Sequence, residues 1–212
     1  MEIVLTAVDR DLAEAWHNYC DDLPDVSVYH GSIFDVKCDA VVSPANSFGF
    51  MDGGIDLIYS HRFGWQVQER LQKLIRVKHH GELLIGCAEI VETDNAAIPY
   101  LIAAPTMRVP MILKETVHPY LAARAVLLLV KHSHFEDGYL KGEKLSDVIQ
   151  TIAFPGLGTG VGQVSARACA HQVRVAIEEV LFEKSEFPKS WSEAQAEHQQ
   201  LYTDEVRDLQ RE

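Results

Sequence analysis

Two polar side chains, Asn46 and Asp56, flank a run of small residues that follows a short apolar segment. The amide of Asn46 can both donate to and accept from the hydroxyl groups of a sugar. Asp56 stands at the start of a predicted helix, where it could cap the helix or orient a ribose hydroxyl or a water molecule. Because aspartate is common at helix N-termini, capping alone is the simpler interpretation of this residue taken by itself.

A second loop, Pro155–Gly162, carries four glycines within seven residues together with Thr159. A structural turn rarely needs so many glycines, whereas a loop whose backbone N–H groups converge on one phosphate does. The first loop also contains glycines, Gly53 and Gly54, directly before a helix whose N-terminus favours an anion. In an α/β sheet, two such loops can meet at the carboxyl ends of neighbouring strands. The pair therefore predicts a pocket for a phosphorylated ligand.

The elements that must position these loops alternate between strand-like and helix-like segments. The predicted strands are Ile3–Val8, Val26–His30, Ala40–Ser43, Leu83–Val91, Tyr100–Ala104 and Val148–Phe154. The predicted helices are Asp9–Cys20, Ile55–His61, Trp65–Lys78, Pro119–His132 and Ser165–Phe182. Consecutive strands occur beside βαβ crossovers, so we expect a mixed sheet with helices on both faces. No GxGxxG follows the first strand, and no P-loop pattern occurs, which disfavours both of those nucleotide sites.

The bulk composition fits one domain with a short appendage. The chain has 212 residues, of which 47% are hydrophobic, and a net charge of −12. We assign residues 1–182 to the domain and the polar residues 183–212 to a C-terminal extension, which is either a helix packed on the domain or a mobile tail, with the helix favoured. An acidic protein repels phosphate backbones, so a nucleic-acid partner is not expected.

The same composition argues for a cytoplasmic protein without a metal site. No apolar run reaches the roughly 18 residues that a membrane span needs, and the N-terminus lacks a signal-peptide pattern. The four cysteines are widely spaced and form no zinc pattern with histidines, so we expect free thiols, no metal and no cofactor.

Four sequence blocks resemble those of the macro domain, an ADP-ribose-binding fold. The blocks are Gly31–Phe34, Asp39–Asn46, Gly53–Asp56 and Ile152–Gly160, which are similar to the family's GDI, DAIVNAAN, GGGV and IAFPxIxTG segments. They occur in the family's order, and the resemblance covers about Val26 to Val180. It implies a three-layer α/β/α fold with a mixed central sheet of about six or more strands.

The resemblance also implies a function and a set of site residues. By likeness to members that hydrolyse ADP-ribosyl esters, Asn46 would contact the distal ribose and Asp56 would orient or deprotonate the attacking water. The implied ligand-binding residues are Ser32, Ile33, Ala45, Gly53, Gly54, Ile55, Pro155, Gly156, Gly158, Thr159, Gly160, Val161 and Gly162. The expected partners are ADP-ribose or a related nucleotide and an ADP-ribosylated protein, with no membrane. A binding module without catalysis and an ADP-ribose 1″-phosphate phosphatase are the alternatives.

Several positions depart from the family's pattern. Ser32 replaces the aspartate that binds the adenine amino group, for which Asp35 or Asp9 could substitute, and Ser43 replaces the first asparagine of the DAIVNAAN segment. Val161 stands where the family commonly has an aromatic residue. Arg108, in an irregular stretch after a predicted strand, could neutralise a phosphate or form a surface salt bridge, and the sequence favours neither.

Overall fold

The chain folds into a six-stranded sheet with helices on both faces. The computed structural model describes residues 1–44 and 46–209. The strands are β1 (Glu2–Ala7), β2 (Val26–His30), β3 (Ala40–Ser43), β4 (Glu89–Glu92), β5 (Tyr100–Ala103) and β6 (Thr151–Phe154). The helices are α1 (Arg10–Cys20), α2 (Gly54–Phe63), α3 (Gln66–Lys78), α4 (His118–His132), α5 (Leu145–Val148), α6 (Ala166–Leu181) and α7 (Trp191–Gln200). A 3₁₀ turn, Ile33–Asp35, follows β2.

The strands lie in the order β2-β1-β6-β3-β5-β4. Every neighbouring pair is parallel except β4 and β5, which are antiparallel, so the sheet is mixed. Successive side chains of the central strands point to opposite faces of the sheet, and both faces are buried. Val42 packs in one core with α1, α4 and α6, whereas its neighbour Val41 packs in the other with α2 and α3. The predicted three-layer α/β/α fold is confirmed.

Two predicted strands are shorter than the sequence suggested. The apolar segment from Leu83 onward is irregular, and β4 begins only at Glu89, because a turn closes at Gly86, whose φ is +90°. Leu83 is nevertheless fully buried and donates its N–H to the carbonyl of Ser47 at 2.9 Å. The strand predicted over Val148–Phe154 likewise begins at Thr151, after the short helix α5.

The C-terminal segment contacts helices α4 and α6 through polar side chains. Arg167 of α6 donates to Asp204 at 2.8 Å, and Lys131 of α4 donates to Glu183 at 2.9 Å. Leu201, directly after α7, is almost fully buried. The division of the chain at residue 182 stays a prediction, and residues 210–212 lie outside the described part. Within the described ranges, no helix has the length and apolar character needed to cross a membrane.

Candidate functional site

The loops after β3 and β6 meet at one edge of the sheet because these strands are parallel neighbours, with Ala40 opposite Ile152 and Val41 opposite Ala153. Both loops therefore leave from the carboxyl ends of adjacent strands, as the sequence predicted. A cleft of about 460 Å³ opens between them and is lined by residues of both loops. Its size falls within the range of small-molecule sites.

Most of the residues singled out from the sequence line this cleft. They are Ser32, Ile33, Asn46, Gly53, Gly54, Ile55, Asp56, Pro155, Gly156, Gly158, Thr159, Gly160, Val161 and Gly162. Ala45 lies outside the described residues, and Arg108 is not among the residues that form the wall. The structure thus brings together segments that are about a hundred residues apart.

Arg108 instead forms a surface ion pair. Its guanidinium donates to the two carboxylate oxygens of Glu82 at 2.7 and 3.2 Å and lies over the ring of Phe48 at 5.2 Å. This bidentate pair supplies the counter-charge that a phosphate would otherwise supply. Of the two roles open from the sequence, the structure favours the salt bridge.

Asp56 lies in the first turn of α2, at the wall of the cleft, and is only 6% exposed. Its Oδ1 accepts a hydrogen bond from the Oγ of Ser43 at 2.5 Å, so the carboxylate is bound to the sheet. Gly53 is the N-cap of α2, and this helix start has no side-chain cap, which argues against a capping role for Asp56. Burial raises the pKa of Asp56 to about 7, and the hydrogen bond from Ser43 opposes the rise.

Asn46 uses its side chain to close its own loop. The amide oxygen accepts from the backbone N–H groups of Phe48 and Phe50 at 3.1 and 3.2 Å, and Nδ2 donates to the carbonyl of Phe50 at 2.8 Å. These bonds occupy both lone pairs of the oxygen and one of the two N–H donors. The ribose contact predicted for Asn46 is thus reduced to the remaining donor, and the amide mainly holds the loop in shape.

The glycines of the two loops fall into two classes. A Cβ on Gly162 would lie 2.5 Å from the carbonyl oxygen of Gly158, and Gly158 itself has a φ of +69°. Leu113, fully buried beneath the loop, donates its N–H to the carbonyl of Gly162 at 2.7 Å. Packing and backbone conformation therefore explain glycine at positions 158 and 162 without any ligand.

Gly53, Gly54 and Gly160 belong to the other class, because a Cβ on any of them would meet no other atom of residues 1–44 and 46–209 within 4 Å. For Gly54 a φ of +56° already favours glycine. No such reason applies to Gly53 and Gly160, whose bare backbone faces open space in the cleft wall. Such positions let a ligand approach the backbone N–H groups closely.

The charge of the cleft wall is entirely acidic among the described residues. Asp9, Asp52 and Asp56 line it, whereas no Lys, Arg or His in residues 1–44 and 46–209 does. An anionic group in this cleft would be bound by neutral donors, which are hydroxyl groups such as that of Thr159 and backbone N–H groups such as those at the N-terminus of α2.

Apart from Asp9, sequence reasoning missed the part of the wall formed by the end of β1 and the start of α1. Thr6, Val8, Asp9 and Leu12 line the cleft there, and Asp9 caps α1 by accepting from the N–H of Leu12 at 3.0 Å. The available signal was topological, since β1 lies next to β6 and ends at the same edge. Phe50, Ile58 and Pro110 also line the cleft and were not predicted. Of the two proposed substitutes for the family's adenine-binding aspartate, Asp9 is in the wall and Asp35 is not.

Comparison with known proteins decides the family. The sequence matches the profile of the macro domain family over residues 42–173. The chain belongs to the macro domain family. A curated relative of this macro domain, an uncharacterised protein from Aquifex aeolicus, is 30% identical over 155 residues, which cover 71% of this chain and 81% of the relative. A second relative, an uncharacterised protein from Aeropyrum pernix, is 27% identical, and the match covers 71% of this chain and 69% of that protein.

Solved macrodomain structures share the fold at lower sequence identity. The Oceanobacillus iheyensis macrodomain with ADP has a TM-score of 0.57 and 21% identity, covering 73% of this chain and 75% of that one. A mutant of the same protein with ADPR has a TM-score of 0.58 and 20% identity, with coverages of 73% and 77%. The macrodomain of Mycobacterium tuberculosis DarG has a TM-score of 0.55 and 19% identity, with coverages of 70% and 87%.

Proposed function

We propose that this macro domain binds ADP-ribose or a close derivative in the cleft and hydrolyses an ADP-ribosyl or O-acyl-ADP-ribose ester there. The single observation that carries the catalytic part is Asp56, a buried carboxyl in the cleft wall whose pKa is raised to about 7. A general base works best when its pKa is near the working pH. A carboxyl kept buried next to a ligand-sized cleft has the position and the basicity for that role.

The binding part of the proposal rests on the cleft's backbone. Gly53 and Gly160 leave room for a diphosphate to approach N–H groups, and the free N–H groups at the start of α2 favour negative charge. The ligands named for the similar Oceanobacillus iheyensis structures, ADP and ADPR, contain such a diphosphate. We assign the adenine to the end of the cleft near Ser32 and Asp9, and the distal ribose to the end near Asp56.

The chemical step that follows from this placement is ester hydrolysis. A water molecule held by the Asp56 carboxylate attacks the acyl carbon of an ester on the distal ribose, and the carboxylate accepts the water's proton. The bond between the acyl carbon and the ribose oxygen then breaks, and the proton passes from Asp56 to that oxygen. The products are ADP-ribose and a carboxylic acid. When the ester belongs to a protein side chain, the second product is the restored acidic residue.

Calorimetric titration with ADP-ribose, followed by turnover of O-acetyl-ADP-ribose and of an ADP-ribosylated protein, tests the proposal. We expect binding, turnover of at least one of the two substrates, and loss of turnover with retained binding in Asp56→Asn. No heat at millimolar ADP-ribose would reject the proposed ligand. Turnover that survives in Asp56→Asn would reject Asp56 as the base.

A binding module without catalysis is the second candidate, because the Asn46 amide is largely consumed by its own loop. ADP-ribose binding without turnover of either substrate, unchanged in Asp56→Asn, would select it. ADP-ribose 1″-phosphate, assayed in parallel, tests the phosphatase alternative. We place the activity in the cytoplasm, since all four cysteines are free thiols.

A further inference from the structure

Ser43, the last residue of β3, is fully buried and does not belong to the cleft wall. Its hydroxyl nevertheless bonds to the one buried carboxyl that does, the Oδ1 of Asp56, at 2.5 Å. The pair joins the central sheet to the first turn of α2 across thirteen residues of sequence. A hydrogen bond of a neutral hydroxyl to a carboxylate is among the stronger and shorter kinds.

The backbone around Ser43 is rigidly held. Ser43 is paired with Ala103 of β5 in the parallel ladder, and its carbonyl accepts from the N–H of Ala104 at 2.9 Å. Because the residue lies at the end of a central strand and is held by β5, its side-chain oxygen has a fixed position relative to the carboxyl ends of the strands. The carboxylate oxygen that it binds is therefore fixed as well, and the second oxygen of Asp56 is left for the cleft.

We propose that Ser43 is a positioning residue for Asp56: it anchors one carboxylate oxygen so that the other faces the water to be activated. This inference rests on the proposed function, because it assigns a role within the same reaction. Ser43 itself touches neither water nor ligand in this arrangement. Its effect passes through Asp56.

The hydrogen bond also sets the acidity of the base. Burial raises the pKa of Asp56, and the bond from Ser43 is what lowers it. The titratable group that interacts with Asp56 from its own helix is Tyr59, whose pKa is raised well above its usual value by burial, by the Asp56 charge and by Cys38. Tyr59 stays neutral and cannot replace the donor, since its hydroxyl donates to the carbonyl of Val42 at 3.0 Å. Without Ser43, the pKa of Asp56 would rise further.

The test compares Ser43→Ala with the wild-type protein in a pH–rate profile for O-acetyl-ADP-ribose. We expect the rising limb, which lies near pH 7 in the wild type, to move up by about 1 pH unit in Ser43→Ala. Because the ionised fraction of Asp56 at pH 7 then drops from about one half to about one tenth, the rate at pH 7 falls by about fivefold, whereas the affinity for ADP-ribose stays within about twofold. Thr93→Val is the matched control, because it removes a buried hydroxyl, which donates to the carbonyl of Ile98, outside the cleft wall.

A second variant and a second measurement separate this inference from the proposed function. Ser43→Cys keeps a weaker donor at the same place and should show a smaller shift in the same direction. Titration of the Asp56 carboxyl by ¹³C NMR in the wild type and in Ser43→Ala needs no turnover, so it remains informative if the protein proves to be a binding module. Coincident pH profiles, coincident carboxyl titrations, or a rate loss explained by weaker ADP-ribose binding would each overturn the positioning role.

Discussion

Replacing Asp56 with asparagine should make the protein more stable at alkaline pH. The pKa of Asp56 rises from 3.8 to about 7 on folding, and each pH unit of such a shift corresponds to 1.36 kcal/mol. Below pH 3.8 both the folded and the unfolded carboxyl are protonated. As the pH rises to about 7, the unfolded chain ionises while the folded chain does not, so the free energy of unfolding falls.

The expected size follows from the same two pKa values. The wild type should have lost about 2 kcal/mol of its free energy of unfolding by pH 5 and about 4 kcal/mol by pH 8 through this one group. Asparagine resembles the protonated acid, and its Oδ1 can still accept from Ser43, so the variant lacks this pH dependence. The stability gap between Asp56→Asn and the wild type should therefore widen by about 2–3 kcal/mol between pH 5 and pH 8.

Urea denaturation at pH 5 and pH 8, followed by tryptophan fluorescence, measures this gap, and equal m-values show that the unfolded states are comparable. Asp137→Asn is the control, because it removes the same charge at an exposed position. The gap between Asp137→Asn and the wild type gives the baseline at each pH for the loss of one surface charge. If Asp56→Asn and the wild type lose stability in parallel between the two pH values, the carboxyl is not held in an environment that disfavours its charge, and the catalytic assignment loses its basis.

The remaining predictions concern the loops around the cleft. Gly160→Ala should weaken ADP-ribose binding about tenfold or more without lowering the melting temperature, because the added methyl meets the ligand and not the protein; unchanged affinity would contradict this. Gly162→Ala should instead lower the free energy of unfolding by about 1–3 kcal/mol in urea denaturation, because its Cβ would collide with backbone. Arg108→Ala should leave the ADP-ribose dissociation constant within about twofold, and a tenfold loss would place the guanidinium in the site. Asn46→Ala should lower the free energy of unfolding by about 1–3 kcal/mol, and Asn46→Asp by less, since aspartate keeps the two acceptor bonds.

The helices and strands of the fold could be predicted from the sequence because each is marked by a pattern of residues within its own segment. The apolar run Ala40–Ser43 is a strand as predicted, and the helices predicted to start at Asp9 and Ser165 have these residues as their N-caps. The strand predicted over Leu83–Val91 begins only at Glu89, because a turn interrupts the apolar run and Leu83 enters the core from irregular backbone. Apolar periodicity reports burial, and burial does not require a strand.

The site could be predicted only in part. Its residue types can be read from short segments, whereas its side-chain contacts join residues that are distant in sequence. The glycine loops and Asp56 could be selected from residue type and order. The bond from Ser43 to Asp56, the consumption of the Asn46 amide and the pairing of Arg108 with Glu82 depend on where side chains end in space. The glycines show the same limit, because packing against Leu113 accounts for Gly162 as fully as any anion would.

The absence of cationic side chains from the described cleft wall has a consequence for how the site can be mapped. If backbone N–H groups bind the diphosphate, truncating charged side chains to alanine removes none of its partners, and ADP-ribose binding by such variants would not reveal where the diphosphate lies. The informative changes are additions: a methyl group at Gly53 or Gly160 alters the surface that the ligand meets. Variants that only delete side-chain atoms would leave the backbone groups that bind the diphosphate in place.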